Sequence, residues 1–350
     1  MKVVYIDNIP LGQDHRPLIV AEMSGNHNQS LERALQIVDA AADAGADAIK
    51  LQTYTADTLT IDYAENEFFS ADETSLWKGK SLYELYQQAY TPWEWHKPIF
   101  EHAKKRGLIA FSTPFDETAV DFLEDLGVPC YKIASFENNH LPLLKKVAQT
   151  GKPVIMSTGV STLEMIAEAV ETLRENGCKD IVLLKCTSTY PATPENSNLL
   201  TIPHMAQLFD CHVGLSDHTM GIGVAVASVA LGARVIEKHF CLSREEGGVD
   251  AAFSLEPTEL KALVEECNRA FLGLGKVYYG VSEAEKGSLI YKRSIYVVKD
   301  IKAGETLTTE NIRIIRPGLG LQPKYFDMVL GKTAKQDLKR GMALSFEMIL

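Results

Sequence analysis

The stretch LIVAEMSGNHNQSLERALQIVDAAADAGADAIKLQTY, residues 18–54, contains a strand, a helix and a second strand in that order. The apolar runs 18–24 and 48–54 have the length and composition of buried strands. Between them, apolar residues recur at helical spacing until Gly45, and glycine is the residue that most often ends a helix. This order is that of one β/α unit.

The same alternation continues to about residue 240. Six more apolar runs have the pattern of buried strands, and most follow a helical segment. These runs are 109–115, 131–135, 153–159, 181–187, 212–218 and 235–240. Eight β/α units predict a closed (β/α)₈ TIM barrel, whose usual size is roughly 250 residues. A doubly wound open sheet is the alternative, but the first turn, EMSGNHN, lacks the GxGxxG of a dinucleotide-binding fold.

The pattern changes after about residue 275. We expect a barrel over 1–274, a linker over 275–291 and a small, mostly β domain over 292–350. In this last part, β-branched runs alternate with turns. DIKAGETLTTENI (300–312) and DLKRGMALSFEMI (337–349) share residues at matching offsets, which predicts a domain built from two related halves.

Composition excludes several classes of protein. The chain of 350 residues has a formal net charge of −11 and no run of Lys or Arg, which argues against nucleic-acid binding. The longest apolar run, 220–233, is too short to span a bilayer and predicts a buried helix. The six cysteines lack CxxC spacing, and the N-terminus lacks the apolar stretch of a signal peptide, so we expect a cytoplasmic protein.

Two histidines end neighbouring predicted strands. His218 ends VGLSDH and His239 ends VIEKH, and the carboxyl ends of barrel strands meet at one mouth, where ligands bind. Neighbouring strands lie roughly 4.8 Å apart, so the two imidazoles can converge on one metal ion. Ser216 and Glu237 point with them, because side chains two apart share a face. The alternative is that each histidine merely caps a strand.

Four lysines interrupt apolar strands, where an unpaired lysine is rarely buried. Lys50, Lys132 and Lys185 suggest a receptor for a phosphate or carboxylate, whereas Lys238 should point outward or form a salt bridge. Hydroxyl groups follow in the same strand ends, at Thr113, Ser135, Ser157 and Ser188. Glu22 ends the first strand and is the leading candidate for proton transfer. Asp250 lies in a loop over the same mouth.

The motifs at these strand ends resemble the sialic acid synthase family. They are AEMSGNHN, IKLQTY, FSTPFD, YKIASFE, MSTG, CTSTYP, GLSDHT and EKHF, followed by a C-terminal segment with RPGLGL that is similar to the SAF, or antifreeze-like, domain. Within the family, LQTYTADTLT, LWKG, LYELY and AYTPWEWH are most similar to the pseudaminic acid branch. Ser188 stands where neuraminate synthases typically have Asn, which argues against N-acetylmannosamine as the sugar.

The resemblance implies the condensation of phosphoenolpyruvate with an amino-sugar aldehyde, here 2,4-diacetamido-2,4,6-trideoxy-L-altrose. It implies that His218 and His239 bind a divalent ion such as Mn²⁺ or Mg²⁺. The positions matched to phosphoenolpyruvate contacts are Lys50, Thr113, Lys132, Ser135, Ser157, Ser188 and Ser216. Those matched to the sugar or its protons are Glu22, Gln52, Glu137, Tyr190 and Asp250. Arg316 matches an arginine that one subunit offers to its partner's active site, which implies a domain-swapped homodimer.

Three alternatives remain open at this point. An N-acetylneuraminate or legionaminate synthase would use the same chemistry on another sugar. A metal-free aldolase would form a Schiff base at Lys185 or Lys132 and would stay active in the presence of a chelator. A non-catalytic sugar-binding protein, the third alternative, would leave the strand-end residues without a role.

Overall fold

The computed structural model describes residues 2–69 and 79–350, so the LWKG motif that begins at Leu76 lies almost wholly outside the described residues. The chain divides into two compact units, residues 1–275 and 276–350. The helices and strands of each unit are numbered together along the chain.

Eight parallel strands of the first unit close into a barrel in the order β10-β3-β4-β5-β6-β7-β8-β9. The strands are β3 (Leu18–Glu22), β4 (Ala48–Thr53), β5 (Ile109–Pro114), β6 (Tyr131–Ile133), β7 (Val154–Ser157), β8 (Ile181–Cys186), β9 (His212–Asp217) and β10 (Val235–His239). All eight predicted strands are present, and each ends one or two residues before its predicted end. The predicted TIM barrel is therefore confirmed.

Helices connect the barrel strands. They are α1 (Leu31–Asp43), α2 (Ala56–Leu59), α3 (Leu82–Ala89), α4 (Trp93–Lys105), α5 (Glu117–Asp125), α6 (Leu141–Gln149), α7 (Leu163–Glu175), α8 (Thr201–Phe209), α9 (Gly223–Ala230) and α10 (Pro257–Leu274). Ser30 caps α1 by accepting a hydrogen bond from the Arg33 amide, which satisfies one of the amides left unpaired at a helix start. The predicted buried helix at 220–233 is α9, shortened to its central eight residues.

Alternation along the strands produces two apolar layers. Residues that point outward pack against the helices and form the larger core. Residues that point inward near the start of the strands fill the barrel, among them Leu18, Val20, Phe111 and Leu184. Polar residues follow on the same inward face towards the carboxyl ends, so the apolar filling supports a polar layer above it.

An N-terminal hairpin, which the sequence analysis did not predict, contributes to the same inner cluster. Its strands are β1 (Val4–Ile6) and β2 (Ile9–Leu11), joined by a turn in which Asp7 has a φ of 52°. Val4, Ile6 and Leu11 pack with the inward residues of the barrel. The available signal was the Asp-Asn pair between two short apolar runs, because Asp and Asn tolerate left-handed backbone in hairpin turns.

The second unit has its own core of β-branched and other apolar residues. A 3₁₀ helix at Glu283–Tyr291 precedes β11 (Ser294–Val297), which pairs antiparallel with β12 (Ile312–Ile315), and α11 (Phe326–Val329) follows. The unit is mostly β and irregular, as predicted.

The internal repeat of the second unit forms a reciprocal contact. Ile301 of the first copy bridges Leu338 of the second, and both side chains are buried. Lys302 pairs with Asp337 at 2.8 Å, and Lys339 pairs with Asp300 at 3.0 Å. The lysine of each copy thus pairs with the aspartate of the other copy. This symmetry confirms the prediction of two related halves.

In the described part of the chain, no helix is both long and apolar enough to cross a membrane.

Candidate active site

A buried polar layer lies on the inward face of the barrel at the carboxyl ends of the strands. Its members come from seven of the eight barrel strands, and they share the inward face because successive side chains of a strand point to opposite sides. They are Glu22, Lys50, Gln52, Thr113, Lys132, Ser157, Ser216 and Glu237, and all except the half-buried Gln52 are buried. These residues were predicted from scattered motifs, and the structure brings them into one network.

Glu22 and Lys50 form the first half of this network. The Lys50 ammonium lies 2.7 Å from the Glu22 carboxylate and donates to Thr113 Oγ1 at 3.1 Å. Gln52 donates to the other Glu22 oxygen at 3.0 Å. Burial raises the pKa of Glu22 above its usual value, although the charge of Lys50 opposes the shift. Glu22 is therefore a buried carboxylate whose ionisation depends on its lysine partner.

Lys132 and Glu237 form the second half. Glu237 lies 3.8 Å from both Lys132 and Lys50, and it accepts a hydrogen bond from Ser216 at 3.0 Å. Lys132 donates to Ser157 Oγ at 2.7 Å, and burial lowers its pKa. Burial alone would raise the pKa of Glu237, but Lys132 and Lys50 bring it below its usual value. Two lysines and two carboxylates thus balance in charge within one dry layer.

Ser135 and Ser188 lie side by side above this layer, at Gly159. The Gly159 amide donates to Ser135 Oγ at 3.0 Å, and a Cβ on Gly159 would approach Ser188 Oγ to 2.2 Å. Only glycine fits here, because a side chain would occupy the position of the hydroxyl groups. The two hydroxyls and the lysines below them could hold a small anion.

Glu137 is a half-buried residue whose carboxyl group has one buried oxygen. Its Oε2 has no hydrogen-bond partner, and burial raises its pKa to about 7, against the opposing charge of Lys132. A carboxyl group that is half protonated near neutral pH can donate or accept a proton, which suits a group that faces a bound polyol.

His218 and His239 meet at the mouth, with ring centroids 5.3 Å apart. His218 Nδ1 lies 3.0 Å from the Thr187 carbonyl, which can only accept, so Nδ1 carries the proton and Nε2 keeps a free lone pair. Tyr190 packs on the His218 ring at 4.6 Å between centroids. Phe253 packs on His239 at 4.9 Å, so aromatic contacts fix both imidazoles.

This pair fits a divalent cation. His239 Nδ1 is buried without a hydrogen-bond partner, and burial lowers the pKa of His239 well below its usual value, which keeps the ring neutral. Imidazoles that offer a free lone pair are common metal ligands. Burial also lowers the pKa of His218, but its contact with Cys186 raises that pKa above its usual value, so a cation would bind this ring with loss of a proton. Among the described residues, no group of three or more His, Cys, Asp or Glu side chains has the spacing of a metal site. The protein would therefore contribute two imidazoles, and the remaining ligands would be water or substrate.

Loop residues close the site from the side of β3 and β10. Asp250 accepts a hydrogen bond from Ser24, and its Oδ2 lies 3.7 Å from His239 Nδ1. Asn26, in the loop after β3, donates to the Phe240 carbonyl at 3.0 Å and to Ser254 at 2.9 Å, so its side chain ties the two loops together. Asp250 thus has a fixed position beside the histidines.

The comparison with known proteins now decides the family. Residues 37–279, more than half of the chain, match the model of the NeuB family, and residues 292–350 match the SAF domain. The chain belongs to the NeuB family. The resemblance inferred from the strand-end motifs is confirmed.

The similarity to individual relatives extends over almost the whole chain. The pseudaminic acid synthase of Campylobacter jejuni is 44% identical over 95% of this chain and 96% of its own length. That of Helicobacter pylori is 42% identical over 94% and 96%. Among solved structures, the N-acetylneuraminic acid synthetase of Leptospira borgpetersenii, in complex with citrate, has a TM-score of 0.73 at 31% identity over 83% of this chain and 96% of that one.

The sequence predicts that Lys185 is part of the anion receptor, but in the structure Lys185 lies outside it. Leu184 and Cys186 point into the barrel, so Lys185 between them lies on the outward face, where it donates to the Cys186 carbonyl at 2.8 Å. The prediction was wrong because an apolar run buried on both faces does not show which residues point inward. Lys238 follows its prediction and pairs with Asp217 at 2.8 Å on the outward side.

Cys186 is a site residue that the sequence analysis missed. Its Sγ lies 3.9 Å from His218 Nδ1 and 3.8 Å from Ser188 Oγ. Burial raises the pKa of the thiol, but the contact with His218 outweighs that effect and lowers it to about 7. The sequence does contain a signal for it. Cys186 lies two residues before Ser188 in CTSTYP, and side chains two apart on a strand point to the same face.

Arg316 follows β12 in the second unit, and its side chain is exposed. It forms no ion pair with another residue in the described ranges.

Proposed function

We propose that this NeuB-family chain is a pseudaminic acid synthase. It condenses phosphoenolpyruvate with 2,4-diacetamido-2,4,6-trideoxy-L-altrose and water, and it releases pseudaminic acid and phosphate. The structural feature that supports this reaction most directly is the buried layer with Lys50 and Lys132 beneath the pair His218 and His239. That arrangement puts a receptor for a small anion directly below two metal-ligating groups. The relatives in Campylobacter jejuni and Helicobacter pylori support the choice of sugar.

The lysine layer would bind phosphoenolpyruvate. Lys50 and Lys132 supply charge, and Ser135, Ser157 and Ser188 supply hydrogen bonds to phosphate and carboxylate oxygens. In the described structure both lysines are paired with carboxylates, so a bound anion competes with Glu22 and Glu237 for them. Binding therefore takes the lysines from Glu22 and Glu237, and a buried carboxylate that loses its counter-ion is expected to take up a proton more readily.

His218 and His239 would hold Mn²⁺ or Mg²⁺. When bound, the ion supplies Lewis-acid polarisation of the sugar aldehyde. The side chains around the histidines orient the sugar, because Asp250 and Glu137 accept hydrogen bonds from its hydroxyl groups. Gln52, which donates to Glu22, lies on the same inward face. The dry layer below excludes bulk water from the reacting carbon atoms.

The bonds change as follows. C3 of phosphoenolpyruvate forms a bond to C1 of the aldehyde as the C1=O π bond opens, and a cationic centre develops at C2. Water adds to C2 and gives up a proton, which balances the proton taken up by the former aldehyde oxygen. The C2–O bond to phosphate then breaks, the new C2 hydroxyl gives its proton to the departing phosphate, and C2 becomes a keto group. Glu22 is the group proposed to stabilise that centre and to move the protons, since it is buried and its pKa is raised.

Phosphate release tests the proposal directly. The chain should release phosphate from phosphoenolpyruvate only when an amino sugar is present, and it should prefer the 2,4-diacetamido sugar over N-acetylmannosamine by about 10²-fold in kcat/KM. The neuraminate and legionaminate alternatives predict a different preferred sugar in the same panel. Trapping of an imine by borohydride, or full activity after removal of metal, would support the Schiff-base aldolase instead.

The proposal includes a homodimer in which Arg316 of one subunit enters the active site of the other. Arg316→Ala should lower turnover or sugar affinity and leave the KM for phosphoenolpyruvate unchanged. Mixing inactive Arg316→Ala chains with inactive His218→Ala chains should restore part of the activity, because one site of each mixed dimer then carries neither change. Phosphate release from the mixed sample measures this. Proven exchange of subunits without recovery would exclude the shared site.

A further inference from the structure

Three aromatic side chains, Tyr54, Tyr86 and Phe115, form an aromatic wall beside the polar layer. Tyr54 and Phe115 are the next residues after the paired ends of β4 and β5, where Thr53 is opposite Pro114. The Tyr54 ring lies 5.1 Å from that of Phe115 and 5.9 Å from that of Tyr86, at angles of 72° and 77°. These are edge-to-face contacts, which hold the three rings in one arrangement.

The aromatic wall presents a surface to the mouth. Tyr54 is buried, but Tyr86 and Phe115 are half-buried, so their ring surfaces remain partly accessible. Trp93, at the start of α4, donates to the Tyr54 carbonyl at 3.2 Å and fixes the strand end from behind. The wall is thus a rigid feature that ends in accessible aromatic surface.

The tyrosines of the aromatic wall interact electrostatically with carboxyl groups that are proposed to contact the sugar. Burial raises the pKa of Tyr86, and the charge of Glu137 adds to the shift. Burial also raises the pKa of Tyr54, and the charges of Asp250 and Glu22 contribute to it. The aromatic wall therefore lies within electrostatic reach of Glu137, Asp250 and Glu22.

Accessible aromatic surface packs against C–H and methyl groups, whereas hydroxyl groups that face it lose hydrogen bonds. It suits methyl groups. The proposed sugar has two that N-acetylmannosamine lacks, the C6 methyl and the methyl of the C4 acetamido group. We infer, on the basis of the proposed function, that the aromatic wall contacts this methyl-bearing part of the sugar and sets the preference for it. The wall would then be a determinant of specificity and not part of the bond-forming chemistry.

Variants of Tyr86 separate this role from a structural one. Tyr86→Ala should lower kcat/KM for the diacetamido sugar roughly 10- to 100-fold, the range that one lost methyl contact produces in an apolar pocket. The value for N-acetylmannosamine should change much less, and the KM for phosphoenolpyruvate should not change. Tyr86→Phe keeps the ring and should behave like the unchanged chain. Tyr83→Ala is the matched control, since Tyr83 lies on the same helix but donates to Asp57.

The measurement is the ratio of kcat/KM for the two sugars, with thermal melting as a check on folding. If Tyr86→Ala does not fold, Phe115→Leu changes the other accessible ring and should shift the ratio in the same direction. Equal losses for both sugars, in a chain that is active, would show that the wall is only structural and overturn the inference. Absence of phosphate release by the unchanged chain with every sugar would instead overturn the proposed function, and this inference with it.

Discussion

Replacing His218 or His239 with alanine is expected to reduce sugar-dependent phosphate release below detection. Each histidine would be half of the protein's contribution to the proposed metal site, and in the described residues no group of three or more His, Cys, Asp or Glu side chains could hold the ion without it. Both side chains end strands, and the apolar filling of the barrel lies below them, so the fold should survive. Phosphate release with saturating Mn²⁺ measures the loss, and thermal melting checks the fold.

A second measurement does not depend on turnover. Titration of the protein with Mn²⁺, followed by calorimetry or electron paramagnetic resonance, should show one tight site that both variants lose. His212→Ala is the matched control, because His212 is at the opposite end of the same strand and contacts the Lys2 carbonyl at 2.7 Å. It should keep both metal binding and activity. Unchanged Mn²⁺ binding in the His218 and His239 variants, or full activity after exhaustive chelation, would refute the assignment.

The sequence predicted the barrel well because its signal is repeated eight times. A short apolar run, a helical segment and a helix stop recur from residue 18 onward, and an error in one unit would not change the fold. The strand ends were also informative, since polar residues at the carboxyl ends of parallel strands must meet at one mouth. This is why the sequence alone assigns Glu22, Lys50, Lys132 and Glu237 to the same mouth.

The same pattern could not supply the inward or outward direction of every residue. Lys185 and Lys132 both interrupt apolar strands, but only Lys132 points inward, and one residue of register separates the two outcomes. Cys186 was missed because a cysteine in an apolar strand has the composition of ordinary core. The hairpin at residues 4–11 was missed since its strands have only three residues each, too short for a periodic signal.

The pairing within the polar layer could be derived only from the structure. Sequence spacing indicates that Glu22 and Glu237 share the layer with two lysines, but it does not show which carboxylate is paired most closely. The structure gives Glu22 a single short ion pair with Lys50 at 2.7 Å, whereas Glu237 lies 3.8 Å from each lysine. The pKa of Glu22 is raised by burial and that of Glu237 is lowered by the two lysines, so the two carboxyl groups have opposite tendencies to take up a proton.

This difference predicts the result of replacing Glu22 with glutamine. The positive charge of Lys50 opposes protonation of Glu22. When an anion of the substrate pairs with Lys50, this effect is neutralised, and the pKa of Glu22 should rise further. It is then suited to carry a proton at the moment when water adds to C2. Glu22→Gln keeps the shape and the contact with Gln52 but cannot carry that proton, so kcat should fall roughly 10²- to 10⁴-fold.

The KM for phosphoenolpyruvate distinguishes this role from simple damage to the site. Removing the Glu22 charge removes a competitor for Lys50, so the KM should stay constant or fall while kcat drops. Steady-state phosphate release at varied phosphoenolpyruvate measures both constants, and Glu266→Gln, which removes a carboxylate paired with Arg269 on the outer helix α10, is the control. A rise in KM with little change in kcat would mean that Glu22 only orients Lys50. In that case Glu137, whose pKa burial raises to about 7, would be the better proton carrier, because the two lysines keep the pKa of Glu237 low.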